Sequence, residues 1–189
     1  MKTLLLGPTG VDKEYVKERL ELAMGTAAPH FVLFEKEYLV PEYGDKFFRF
    51  LEEEPFRQKE KWDSAWEHLL QDFASFSRDL VVALHTVYAR HLYGCRSVVS
   101  IDRIKKLKPD TVVTLIDDVY YMWHRTQERA GRERHKGTPT IAELLEARAL
   151  ETFVADQICL QSEVRRNYLL AVRHPVHLLE GLLTHADDL

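Results

Sequence analysis

Leu4-Leu5-Leu6-Gly7-Pro8-Thr9-Gly10-Val11-Asp12-Lys13-Glu14 is the stretch on which the reading of this chain turns. A short apolar run meets Gly/Pro punctuation and then, from 14 to 24, charged residues interleaved with apolar ones, which predicts a buried strand, a tight loop and a helix. Tyr15, Val16, Leu20, Leu22 and Ala23 are expected to face inward in that helix, with Lys13, Glu14, Lys17, Glu18 and Arg19 largely outside. Further along, 31–34, 80–84, 111–116 and 168–172 are four more short apolar runs. Helical stretches separate them: 45–53 and about 59–76, divided at Pro55, then a basic 102–108, a long segment from 141, and 177–185. Thr140 and Glu143 have the spacing of a capping box, which marks the start of the long segment. Parallel strands need crossovers and must be covered on both faces. The pattern therefore predicts a three-layer α/β fold around a five-stranded parallel sheet, in one domain spanning 1–189.

Composition narrows the function. The chain has 189 residues, with 26 Lys plus Arg against 30 Asp plus Glu and a formal net charge of −4. No global positive field favours nucleic acid, so any anion site must be local. Two cysteines, Cys95 and Cys159, are too few for a disulfide framework. No apolar run approaches the roughly 18 residues of a membrane span, and the apolar start is too short for a signal peptide, so a cytoplasmic protein is expected.

In open parallel sheets ligands gather beyond the carboxyl ends of the strands, which directs attention to the loop after the first strand. A phosphate loop is written Gly-x-x-x-x-Gly-Lys-Ser/Thr: backbone N–H groups curl round phosphate oxygens, Lys reaches the terminal phosphates, and the hydroxyl holds magnesium. Here the eight positions are Gly7, Pro8, Thr9, Gly10, Val11, Asp12, Lys13 and Glu14. Gly7 and Lys13 fit, and Gly10 adds flexibility. Asp12 replaces the second glycine and Glu14 the hydroxyl, and both bring negative charge to a phosphate site. The same two acids are ordinary residues for a helix start, where they favour the dipole.

With its elements in this order, the chain resembles the archaeal-type adenylate kinases, a branch of the phosphate-loop nucleoside monophosphate kinases, along nearly its whole length. Tyr43-Gly44-Asp45 looks like the opening of that family's monophosphate-side helices, and Pro109-Asp110-Thr111-Val112-Val113-Thr114-Leu115 looks like its Pro-Asp-x-Val strand. His85 stands where the family has Asp-Thr-His, but Ala83-Leu84 precede it here, so a metal-organising carboxylate is missing. The segment 121–140 looks like the lid. Between 121 and 136 it carries Arg125, Arg129, Arg132, Arg134 and Lys136 against Glu128 and Glu133. The resemblance implies a monophosphate-side lobe over 43–78 with Tyr43, Asp45 and Arg57 facing the acceptor. It assigns catalytic roles to Lys13, Arg125 and Arg129, and phosphate contacts to loop residues 7–14, His85, Arg132 and Arg134. A bidentate guanidinium suits a phosphate, whereas a solvated helix face paired with Glu128 and Glu133 accounts for the same arginines.

Phosphoryl transfer depends on neutralising developing charge, so losing a hydroxyl and a carboxylate while gaining two acids should depress the rate severely. The expected function is a nucleotide- or phosphoanion-binding protein on a kinase scaffold, with Mg and ATP binding weakened and little or no kinase activity. Two alternatives stand beside it. One is an active atypical ATP-dependent phosphotransferase using Lys13, the lid arginines and His85. The other is an interaction module that contacts a protein partner through the Trp62/Trp66 lobe. No zinc site is expected from His85/His91 or His174/His177, which lack the four-ligand spacing. Asp117-Asp118 is explained by capping of the helix that follows.

Overall fold

Lys2–Leu6 forms β1, and all of Leu4, Leu5 and Leu6 are fully buried. Unbroken burial means that both faces of the strand are covered, as for the central strand of a parallel sheet. The computed structural model describes residues 1–41, 47–90, 94–133, 138–171, 180 and 183. In chain order the elements are β1, α1 (Lys13–Met24), β2 (His30–Leu33), α2 (Phe47–Glu52), α3 (Pro55–Asp72), β3 (Leu80–Leu84), β4 (Tyr88–Arg90), β5 (Gly94–Arg96), α4 (Ile101–Leu107), β6 (Thr111–Ile116), α5 (Val119–Glu133), α6 (Ile141–Ser162) and β7 (Arg166–Ala171). A π-helical turn, Glu35–Leu39, follows β2.

Five of the strands form one parallel sheet in the order β2-β3-β1-β6-β7, as the apolar runs predicted. Leu6 lies opposite Leu84 of β3 and Thr114 of β6, so β1 and β3 end level with one another while β6 runs on to Ile116. One face of the sheet packs under α3, α4 and α6, through Leu4, Leu6, Val82, Trp62, Trp66, Leu69, Ile104, Ala147, Val154 and Ile158. The other packs under α1 and α5, through Leu5, Val16, Leu20, Val81, Val113 and Met122.

Several sequence expectations are corrected here. α3 begins at Pro55, four residues before the expected 59, because proline is well placed at the first helical position, where no N–H donor is needed. Only Val16 and Leu20 of the proposed α1 stripe are buried; Tyr15 and Leu22 are exposed, at 47% and 75%. Lys13, expected outside, is 5% exposed. The connection after β3 carries an antiparallel hairpin, β4 with β5. Trp62 and Trp66 stack with ring centroids 5.1 Å apart and are wholly buried. Trp66 Nε1 donates to the Arg103 carbonyl at 3.0 Å. Core membership removes these indoles as a docking surface for a partner. The expected closing helix at 177–185 lies outside the described residues apart from 180 and 183.

The capping box at α6 is formed in full: Glu143 N donates to Thr140 Oγ1 at 3.2 Å and Thr140 N to Glu143 Oε2 at 2.7 Å. Thr140→Ala should cost about 1 kcal/mol of stability, read as a lower midpoint in urea at unchanged slope.

Among the described residues, no helix is long and apolar enough to cross a membrane.

Candidate phosphate-loop site

The loop after β1 leads through α1 to β2, beyond β3, while β3 runs on towards β6, on the other side of β1. The connections therefore diverge between the carboxyl ends of β1 and β3. A crevice at such a point is where open α/β sheets place ligands.

Loop 7–12 is tightly bound to itself and to its neighbours. Val11 N donates to Pro8 O at 3.1 Å, and Lys13 N to Val11 O at 3.2 Å. Asp12 is the N-cap of α1, its side chain accepting from Tyr15 N at 3.0 Å. Capping thus accounts for the acid where a phosphate loop has glycine. Gly10 has a φ of +93°, a conformation that favours glycine. A Cβ there would lie 2.9 Å from the Met122 carbonyl oxygen of α5. Glu14 turns outward to Lys36, with 2.5 Å between the charged atoms, and that hydrogen bond raises the Lys36 pKa.

Two charged groups grip Gly7 from opposite sides of its backbone. Lys13 Nζ donates to the Gly7 carbonyl at 2.6 Å, and Gly7 N donates to Glu151 Oε1 at 3.1 Å. Glu151, fully buried on α6, also accepts from Thr86 N at 3.0 Å and Val87 N at 2.9 Å, so its carboxylate bridges the ends of β1 and β3. Burial raises its pKa against the opposing influence of Lys13, the Thr86 N–H and His85.

Glu35, in the first turn beyond β2, lies alongside. Its Oε1 accepts from His85 N at 2.6 Å and from the Tyr88 hydroxyl at 3.2 Å, and is 3.2 Å from His85 Nδ1. Burial pushes its pKa up, but the charge and hydrogen bonds of His85, aided by Lys13, carry it below the ordinary value. Tyr88 is driven well above its usual range, first by burial and then by Glu35, so it stays a neutral donor.

Arg125 of α5 reaches the loop, with Nε donating to the Gly10 carbonyl at 2.6 Å while Nη2 pairs with Asp117. This guanidinium therefore clamps α5 to the loop. Asp118 caps α5 by accepting from Tyr120 N at 2.8 Å. Arg57 is exposed in the first turn of α3. Tyr43, Asp45 and Arg134 lie outside the described residues, as do the side chains of Arg129 and Arg132. The thiols of Cys95 and Cys159 are both pushed up to about 11, chiefly by burial, which makes them poor nucleophiles.

The structure thus brings Gly7, Gly10, Asp12, Lys13, His85 and Arg125 together and adds Glu35, Tyr88 and Glu151, which sequence reasoning passed over. One signal was present. Glu151 lies on the stripe of Leu144, Ala147, Val154, Ala155 and Ile158 that α6 buries, and a lone carboxylate on an apolar stripe needs a partner.

A phosphate-loop kinase fold implies magnesium, and the residues here do not fit that ion. The hydroxyl position is Glu14, tied to Lys36, and the carboxylates of Glu35 and Glu151 are engaged by N–H and O–H donors. No group of three or more His, Cys, Asp or Glu is placed to hold a metal among the described residues.

No protein-family model matches the chain, and no curated protein sequence matches it. Solved structures do. Shikimate kinase from Acinetobacter baumannii, in complex with shikimate, aligns over 98% of this chain and 94% of its own at 14% identity and a TM-score of 0.64. TT1252 from Thermus thermophilus covers 96% of each chain at 10% identity and a TM-score of 0.51. Shikimate kinase from Bacteroides thetaiotaomicron covers 97% and 98% at 13% identity and a TM-score of 0.50. The fold is that of the P-loop kinases.

Proposed function

We propose that this chain binds a phosphoanion, either the phosphate tail of a nucleotide or a phosphorylated small molecule, at loop 7–13, with metal-assisted phosphoryl transfer weak or absent. The observation that carries this reading is the placement of Lys13. Its ammonium is buried at the carboxyl edge of β1, on the Gly7 carbonyl, where the phosphate loop of this fold meets its ligand. Asp12 and Glu14 argue against the metal-dependent half of kinase chemistry, since one caps α1 and the other pairs with Lys36. The adenylate-kinase-like features of the sequence favour a nucleotide; the likeness to shikimate kinase favours a small hydroxylated acid or its phosphate.

A second reading, an active phosphotransferase, is favoured by the His85–Glu35 pair. A carboxylate beside Nδ1 orients an imidazole, and an imidazole held in this way can take a proton from an acceptor hydroxyl.

Thermal-shift titration with ATP, ADP, AMP, GTP and shikimate 3-phosphate, each with and without magnesium, tests the proposal. Binding to the folded state stabilises it by about 2.7 kcal/mol at a hundredfold excess of ligand over Kd. At least one of these ligands is expected to raise the midpoint without magnesium, and Lys13→Met to abolish the rise. A shift that requires magnesium, with phosphorylated product formed, would replace the proposal with the second reading. No shift with any ligand would leave the fold without the family's ligand.

A further inference from the structure

Lys13, Glu35, His85, Tyr88 and Glu151 come from four separate parts of the chain and converge at one point in the crevice. Their charges do not balance in favour of an anion. Among these five Lys13 is the one permanent cation, Arg125 beside the loop being paired with Asp117, and the carboxylates of Glu35 and Glu151 both lie within its electrostatic reach. A phosphate-like dianion arriving at Lys13 adds two negative charges to a site that already holds two, in a medium where such repulsion is poorly screened. Binding therefore calls for a compensating positive charge, and a proton from solvent is the smallest one.

We propose that phosphoanion binding at Lys13 is coupled to uptake of one proton by Glu151, so that this buried carboxylate gates the site. This inference rests on the phosphoanion reading above and adds its regulation. Ionised, Glu151 occupies the N–H groups of Gly7, Thr86 and Val87 and helps neutralise Lys13, which stays on the Gly7 carbonyl oxygen. Protonated, it can still accept at one oxygen but no longer competes with the ligand for the ammonium. The proton adds to the Glu151 carboxylate and the ligand exchanges water for Lys13; no other bond changes.

Geometry selects Glu151 over its neighbours. Glu35 is held ionised by the His85 backbone N–H and the Tyr88 hydroxyl, both donating to its Oε1, with His85 Nδ1 3.2 Å away. Glu151 accepts from the backbone N–H groups of Gly7, Thr86 and Val87 at hydrogen-bond range and pairs with no cation there, Lys13 and His85 acting from farther off. Burial acts in the same direction, raising the Glu151 carboxyl while Glu35 is lowered. Two acids in one site are thereby pushed apart in affinity for a proton.

The probe is sulfate, which stays a dianion from pH 5.5 to 8.5 and so contributes no titration of its own. Affinity is read by thermal-shift titration at each pH, with Lys13→Met subtracting the general stabilisation that sulfate confers on any fold. The wild type is expected to gain about tenfold in affinity per unit fall in pH, within the window between the free and bound pKa of Glu151. Calorimetry in buffers of unlike ionisation enthalpy should show close to one proton taken up. Glu151→Gln, which keeps an acceptor oxygen, is expected to bind sulfate about tenfold more tightly at pH 8 and with a flat profile, whereas His85→Gln keeps the wild-type slope. Lys13-dependent binding with no proton uptake overturns the gate and leaves the anion site standing. A slope lost in His85→Gln but kept in Glu151→Gln also overturns it, because the proton would then belong to the imidazole. Absence of Lys13-dependent sulfate binding at every pH removes the anion site and the gate together. If Glu151→Gln does not fold, the wild-type proton count and the His85→Gln slope still decide the question.

Discussion

Glu151→Leu is expected to lower the free energy of unfolding by about 4–6 kcal/mol, the largest effect of any single substitution in the loop region. The leucine matches the apolar stripe around it but leaves the N–H groups of Gly7, Thr86 and Val87 without their acceptor. Each orphaned buried donor costs about 1–3 kcal/mol, and Lys13 loses a compensating charge besides. Glu151→Gln, which can still accept, should lose no more than about 1–2 kcal/mol. Urea unfolding of the three proteins checks this, and a leucine variant within 1 kcal/mol of wild type would refute the bridging role. The pH dependence separates the two acids. The folded-state pKa of Glu151 lies above the ordinary 4.5, so its ionisation costs stability above that folded value, and the cost fades as pH falls towards 4.5. Wild type should therefore gain on Glu151→Gln as pH is lowered through this window. Glu35 has the opposite sign. Its folded pKa lies below 4.5, so it contributes stability above 4.5 that is lost as pH falls through the folded value, and Glu35→Gln should lose its disadvantage only there.

Gly10→Ala is expected to cost about 2–4 kcal/mol. The position has a φ of +93°, where any side chain adds about 1–2 kcal/mol of backbone strain. The new methyl would also stand 2.9 Å from the Met122 carbonyl oxygen and 3.0 Å from its Cβ, so α5 must move off the loop. That movement stretches the hydrogen bond from Arg125 Nε to the Gly10 carbonyl, now 2.6 Å, and loosens the clamp over Lys13. Gly25 supplies the control. Its φ of +56° imposes similar backbone strain, but nothing lies within 4 Å of a Cβ built there, so Gly25→Ala should cost about 1 kcal/mol. If both substitutions cost the same in thermal unfolding, close packing of α5 on the loop is not what requires glycine at position 10.

Much of the architecture was legible before any coordinates. The five apolar runs all became strands; β1, β3 and β6 are buried almost throughout, and a strand covered on both faces needs a nearly unbroken apolar run, a requirement that is local, whereas β7 alternates half-buried and exposed positions. The α6 cap was legible for the same local reason: the four residues from Thr140 to Glu143 contain the whole interaction. Gly7, Gly10 and Lys13 could be placed on the turn between β1 and α1 from spacing alone, and Asp12 and Glu14 at the start of α1. Where the acids would turn could not be read so fully. Asp12 found the first turn of its own helix, a local outcome, but Glu14 found Lys36, on the turn beyond β2.

Tertiary structure alone decided the rest. Gly7 and Glu151 are 144 positions apart, and no periodicity in α6 says which backbone donors its one buried acid will meet. Only the order β2-β3-β1-β6-β7, which places β3 beside β1, brings Thr86 and Val87 to the same carboxylate. Arg125 reads in the sequence as part of a cationic lid and in the fold as a clamp on Gly10, because Asp117 and the loop meet it across the end of β6. The sequence by itself determined which residues form the sheet and which loop follows its first strand. Folding decided which charges meet there, since a long-range ion pair depends on strand order and helix placement, and neither leaves a trace in the spacing of the residues concerned.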